Sequence, residues 1–175
     1  MRPVLNRGDG VCGEALTFLW RGPRPGDVVR YDPPSYRIWA GDSHYVVNPA
    51  NGWERVMAVG GETLESRDGV LYVNGRKLSR DYYPLMPENL PRNFGILCPE
   101  GKYLVVISAR ASDTGFINQL RGAAGQVPYL GGAEWEEACV VGRRAILDRA
   151  WFIYAPAERR RTFESRGPRF ADGGR

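Results

Sequence analysis

Short apolar runs broken by turn residues dominate the chain, and they predict strands. Asp27-Val28-Val29-Arg30-Tyr31 reads as a strand closed by Pro33-Pro34. Ser43 to Val47 reads as another, ended by the Asn-Pro and Asn-Gly signals at 48–52, and Arg55 to Val59 as a third, ended by Gly60-Gly61. The sharpest local signal follows. Glu62 to Arg67 runs into Asp68-Gly69, Val70 to Val73 into Asn74-Gly75, and Arg76 to Leu78 completes the set. Asp-Gly and Asn-Gly supply the positive φ angles of tight hairpin turns, so this stretch predicts a three-strand meander. Between Tyr82 and Pro99 four prolines and no periodicity predict a long loop. Lys102 to Ser108 is a continuous apolar strand. Ala111 to Gly132 reads as loop with at most a short helix, Trp135 to Ala138 as one helical turn, and 140–147 and 149–154 as the last strands, ended by Pro156. The expected fold is mainly β, with long loops.

Composition narrows the class. With 43% hydrophobic and 25% charged residues the chain reads as globular and not disordered. Gly 22 and Pro 13 among 175 residues argue against a helical bundle. The longest apolar run, Tyr103 to Ile107, falls far short of the ~20 residues that span a bilayer. Met1 to Gly13 lacks the apolar core of a secretory signal. The expectation is a soluble, cytoplasmic chain with no membrane span. The net charge is +4, and six arginines against three acids after Pro156 account for most of it. That tail, 157–175, reads as a flexible basic extension. Its Arg159, Arg160 and Arg161 are the candidate contacts for nucleic acid. Cys12, Cys98 and Cys139 are far apart, form no Cys-x-x-Cys pair and read as reduced thiols; their spacing with His44 supports no zinc site. Glu134, Glu136 and Glu137 read as a solvated face, and the glycines of 122–132 match no phosphate loop. No metal or cofactor is expected.

Five segments then resemble one family in its own order. Arg55-Val56-Met57-Ala58-Val59-Gly60-Gly61-Glu62-Thr63-Leu64-Glu65 is similar to the Arg-Val-x-x-x-x-Gly-Asp-x-(Val/Leu)-Glu segment of type I signal peptidases, and Asp68 to Gly75 matches the hairpin that follows it. Pro25-Gly26-Asp27-Val28-Val29 resembles the family's Pro-Gly-Asp strand. Pro99 to Val106 resembles its Pro-x-Gly-x-Tyr-(Phe/Leu)-Val stretch. Val141-Gly142-Arg143 and Ala150 to Pro156 resemble its closing strand. The conjugative-transfer peptidases and the self-cleaving repressor domains are similar in the same way. The resemblance implies several coiled antiparallel sheets with long loops, and a domain over 22–156 between an N-terminal segment (1–21) and the basic tail.

That family cleaves pre-proteins with a Ser activated by a neutral Lys, a pairing that needs a desolvated ammonium and an oxyanion hole. The resemblance does not carry the pair over. Counting back eight residues from Gly26, to where the family has Ser in Ser-Met-x-Pro-Thr, lands on Phe18; a slip of one offers Thr17. The residue before Arg55-Val56, where the family has Lys, is Glu54. The only lysines, Lys77 and Lys102, lie at a hairpin end and beside a turn, and both are expected to be solvated. The family's Gly-Asp-Asn box is replaced near Ser108.

The expectation is therefore a pseudopeptidase that acts as a protein-binding or structural module. Phe18, Glu54, Arg55 and Ser108 mark the former active-site region. An extended peptide or another protein is the expected partner, in one reading as part of a larger assembly. The alternative is a divergent Ser/Thr endopeptidase with Thr17, Ser108 or Cys12 as nucleophile and Glu54 as base. For Glu54 the ordinary structural reading is a surface carboxylate paired with an Arg.

Overall fold

A computed structural model describes residues 5, 8–40, 43–47, 51–80, 82, 91–106, 133–163 and 167–171. They form antiparallel sheets with two short helices, so the mainly β expectation holds. The strands are β1 (Gly10–Glu14), β2 (Val28–Tyr31), β3 (Tyr36–Ala40), β4 (Ser43–Val47), β5 (Gly52–Val59), β6 (Thr63–Arg67), β7 (Val70–Val73), β8 (Arg76–Lys77), β9 (Phe94–Leu97), β10 (Lys102–Val105), β11 (Val140–Gly142), β12 (Ile146–Ala155) and β13 (Arg161–Thr162). The helices are α1 (Thr17–Trp20) and α2 (Ala133–Ala138).

The largest sheet runs β1-β12-β2-β5-β10-β11, with β13 also on β12. β5 is its organiser. It pairs with β2 (Val28↔Arg55, Val29↔Glu54) on one side and with β10 (Leu104↔Ala58) on the other. The meander forms a second sheet, in the order β8-β7-β6-β9. Its two turns adopt the expected conformation: Asp68 and Gly69 have φ 51° and 78°, Asn74 and Gly75 φ 50° and 74°. Asn74 locks its turn by accepting the Thr63 amide at 2.9 Å through Oδ1.

The two sheets join at the Gly60-Gly61 bend. Gly61 is left-handed (φ 84°), and a Cβ at Gly60 would meet the Glu100 Cα at 2.9 Å. Glu62 closes this bend, its carboxylate accepting the Val59 amide and its amide donating to the Val59 carbonyl. One continuous core lies between the layers. It holds Val29, Val56, Met57, Leu64, Leu104, Val141 and Ile146, with Phe18 from α1 and Trp135 from α2. A smaller cluster of Leu5, Val28, Ala150 and Ile153 packs with Trp53 and Phe163 on the opposite side of β2 and β12.

Several expectations change. The stretch read as loop between Tyr82 and Pro99 contains β9, which turns the three-strand meander into a four-strand sheet through Glu65↔Gly95 and Leu64↔Ile96. β3 was not anticipated; it pairs with β4 from Tyr36↔Val47 to Ala40↔Ser43. The run 140–147 is broken by a 3-10 turn at Arg143–Ala145. The strand read over Lys102 to Ser108 is drawn to Val105; its end beyond 106, Ser108 included, lies outside the described residues, as do Ala111 to Gly132.

The first 21 residues supply β1, the edge strand on β12 (Cys12↔Phe152), and α1. In the tail, β13 pairs with β12 (Phe152↔Thr162), the Ser79 amide donates to the Arg169 carbonyl, and Arg76 stacks 3.8 Å over the Phe170 ring. Among the described residues no helix is long and apolar enough to cross a membrane.

Candidate functional site

The positions singled out in sequence lie on α1 and β5. Glu54 is 2% exposed, so the surface carboxylate expected there is corrected to a buried one. Strand periodicity explains the placement. Residues 54, 56 and 58 share one face, and that face carries the core residues Val56 and Ala58. Glu54 stands opposite Val29, which is fully buried. A carboxyl on a core face is costly and calls for local compensation. The alternation Glu54-x-Val56-x-Ala58 was the sequence signal for this burial. Arg55 points to the other face, with its guanidinium 4.6 Å from the centre of the Tyr82 ring. Burial pushes the Tyr82 phenol up to about 12.

Phe18 is buried (7%) in the core that also holds Val29 and Val56, so its side chain and the Glu54 face converge on one region. The Arg143 guanidinium covers the Phe18 ring at 4.7 Å. Thr17 is turned elsewhere. Its hydroxyl donates to Glu14 Oε1 at 2.6 Å and its amide to Glu14 Oε2 at 2.9 Å. Arg149 donates to the same carboxylate at 2.8 Å. Burial alone would raise the Glu14 pKa, but the two Thr17 donors and the Arg149 charge outweigh it and hold the carboxyl below its ordinary 4.5. The sequence signal for this pair was Glu14-x-x-Thr17 at a helix start. A carboxylate held this acidic is a poor base, and the hydroxyl it binds acts as a clamp between β1, α1 and β12.

Glu14 gives this region a pH dependence. Its folded pKa is depressed, so its stabilisation is fully present above about 4.5 and is lost as pH falls through the lower folded value. Urea unfolding of the native chain and Glu14→Gln over pH 7 to pH 3 is expected to show a stability gap that closes with acid. A gap independent of pH would contradict the clamp.

The other candidates are placed as follows. Cys12 is half-exposed on β1, and Cys98 and Cys139 are buried; all three are free thiols. Burial, reinforced by the Glu62 and Glu100 carboxylates, pushes the Cys98 thiol up to about 11, so it holds its proton at neutral pH. Lys77 and Lys102 are both exposed, as expected. Arg159 grips Asp9 with two hydrogen bonds of 2.8 and 2.9 Å, Arg160 donates to the Tyr154 carbonyl, and Arg161 is exposed beside Phe163. Among the described residues no group of three His, Cys, Asp or Glu side chains is placed to hold a metal ion.

The segment Pro25-Gly26-Asp27 has a clear physical role. Gly26 takes φ 99° and donates its amide to the Val56 carbonyl, docking the loop on β5. Asp27, 1% exposed, accepts Arg21 Nη1 at 2.7 Å, Arg21 Nη2 at 3.1 Å and the Arg24 amide at 2.9 Å. This knot fixes where α1 ends relative to β2 and β5, and hence the spacing between the Thr17/Phe18 and Glu54 positions.

Comparison with known proteins agrees with the motif order. The family model described as "Signal peptidase, peptidase S26" matches residues 1–114. The "Probable signal peptidase I-1" of Synechocystis sp. is 30% identical over 107 residues, covering 61% of this chain and 51% of that protein. "Thylakoidal processing peptidase 1, chloroplastic" of Arabidopsis thaliana is 28% identical over 100 residues, covering 54% of this chain and 29% of that protein. The chain thus matches about half or less of the length of these curated relatives. A signal peptidase I structure from Enterococcus faecalis V583 aligns at 19% identity with a TM-score of 0.43, over 74% of this chain and 97% of that one. With the family model matching most of its length, and with the Arg-Val, Asp-Gly and Pro-Gly-Asp segments in family order, this chain belongs to the signal peptidase family.

Proposed function

We propose that this chain is a non-catalytic member of the family, a pseudopeptidase that holds an extended peptide or a segment of a protein partner. The observation that carries the reading is Glu54: a buried carboxyl stands where the resemblance assigns the general-base lysine. A carboxylate there cannot reproduce a neutral amine activated by desolvation. Two further observations support it. Both lysines of the chain are exposed, so neither sits in the buried setting that a lysine base requires. The Thr17 hydroxyl, the nearest stand-in for the nucleophile, is engaged by a carboxylate whose basicity is suppressed. A retained scaffold without its base is suited to capture by strand addition, in which main-chain hydrogen bonds supply affinity.

The test is fluorescence anisotropy of a labelled signal peptide ending in an Ala-x-Ala site. Saturable binding is expected, with the peptide mass unchanged after incubation. No binding across the accessible concentrations would overturn the capture role.

A further inference from the structure

The sheet β8-β7-β6-β9 ends at β8, and the outer side of that strand is occupied by the tail. Peptide groups along a strand point alternately to either side. The Leu78 amide turns inward to the Leu71 carbonyl. The Ser79 amide and the Lys77 carbonyl therefore turn outward. Ser79 donates to the Arg169 carbonyl at 2.8 Å, and the Ala171 amide donates to the Lys77 carbonyl at 2.9 Å. Leu78 and Phe170 face each other as an antiparallel bridge. Residues 169–171 thus extend the sheet by the main-chain pairing that strand-addition ligands use. Phe170 is the side-chain anchor. It packs against the main core, and the Arg76 guanidinium lies 3.8 Å from its ring centre.

The resident segment does not match the charge of its seat. By strand alternation Lys77 and Ser79 share one face with Arg169 and Ala171, and Leu78 shares the other with Phe170. Lys77 and Arg169 are both exposed, so two cations stand as diagonal neighbours on that face, an arrangement that weakens pairing. Residues 76–80 hold Arg76, Lys77 and Arg80 and no acid. Glu65, beyond Tyr72 on the face of Lys77, is held by Arg67 at 2.7 Å. An acid in the place of Arg169 would attract Lys77 instead of opposing it. The tail holds its seat with the help of a tether. The Phe163 amide is anchored on the Trp151 carbonyl of β12, and only residues 164–166 separate it from Gly167. A tether this short presents a segment at an effective concentration on the order of millimolar, enough to mask a site of modest affinity.

We propose that the outer edge of β8 is a docking site for an extended segment of a partner protein in which an acidic residue directly precedes an aromatic one, and that residues 169–171 are its tethered stand-in. The partner's ring takes the slot under Arg76, its main chain pairs with Lys77 and Ser79, and its acid meets Lys77. The tail yields the edge when such a segment arrives. The site lies on a different sheet from Glu54, and the inference rests on the tail contacts and not on the loss of catalysis.

The test is fluorescence anisotropy of the full chain with two labelled peptides, the 167–175 sequence and its Arg169→Glu form. Two variants loosen the stand-in. Phe170→Ser empties the slot under Arg76, and Ala171→Pro removes the amide donated to Lys77 at an exposed position, where the native circular dichroism spectrum is expected to persist. Both are expected to bind the Arg169→Glu peptide more tightly than the native chain does, by about tenfold for Phe170→Ser and about threefold for Ala171→Pro. Both are expected to prefer that peptide about threefold over the unaltered one, a preference that added salt or a further Lys77→Ser change removes. Four results would overturn the proposal. One is no binding of either peptide by the loosened variants. Another is binding by the native chain as tight as theirs. A third is equal affinity of the loosened variants for the two peptides. The fourth is loss of the native spectrum in both variants, which would make 169–171 a fixed part of the fold.

Discussion

Asp27→Ala is expected to destabilise the fold by about 3 kcal/mol, because it strands a largely buried guanidinium and removes the anchor of the loop after α1. Asp27 is 1% exposed and accepts hydrogen bonds from both terminal nitrogens of Arg21, whose side chain is 18% exposed, and from the Arg24 amide. The hydrogen bond to Asp27 holds the Arg21 pKa above its ordinary value; a guanidinium keeps its charge even without that partner, so Asp27→Ala leaves the charge stranded. Asp27→Asn keeps an acceptor for the Arg24 amide but loses the charge, and is expected to fall between the native chain and Asp27→Ala. Exposed pairs serve as the control. Arg67 with Glu65 is 60% and 30% exposed, and Glu65→Ala is expected to cost less than about 1 kcal/mol. Urea midpoints at constant m decide the matter. A loss at Asp27→Ala as small as that at Glu65→Ala would remove the knot from the account of how α1 is held against β5.

Leu104→Ala is expected to cost about 2–5 kcal/mol, the sum of lost apolar burial and an unfilled cavity. Leu104 is fully buried on β10, between Ala58 of β5 and Val140 of β11. Close packing there leaves little room for neighbours to collapse into the space. Leu97 on β9 offers the matched contrast, since it is 64% exposed. Its replacement by Ala is expected to stay within about 0.5 kcal/mol. Equal effects at the two positions would mean that the core is not centred on β5 and β10.

How far the sequence revealed this molecule depended on whether the deciding interaction was local. The turns at Asp68-Gly69 and Asn74-Gly75 were legible because positive φ is written into those residue pairs. The same holds for Gly26 in the loop before β2. β9 was hidden because Phe94-Gly95-Ile96-Leu97 buries only Ile96 fully and sits among prolines. Its pairing with β6, distant in sequence, is what makes it a strand. β1 was hidden for a similar reason: Gly10-Val11-Cys12-Gly13-Glu14 has little β propensity of its own and is held by β12.

At the site, the identity of Glu54 was readable and its burial was not drawn from it, although Val56 and Ala58 at period two place it on the core face. The engagement of Thr17 by Glu14 was written in the spacing of the two residues. Its chemical consequence, a carboxylate held acidic by Thr17 and Arg149 together, required the fold, because Arg149 arrives from the far end of the chain. The exposure of Leu16, Leu19 and Trp20 needed the structure as well, since among the large apolar residues of that segment only Phe18 enters the core.

The most direct measurement is turnover of a pre-protein bearing an Ala-x-Ala site by the purified chain in detergent, beside Thr17→Ala and Glu54→Gln. A catalytically empty site predicts no cleavage product from any of the three while the native chain remains folded. Cleavage by the native chain that disappears in Thr17→Ala or Glu54→Gln would contradict the account and establish a rebuilt active site on α1 and β5.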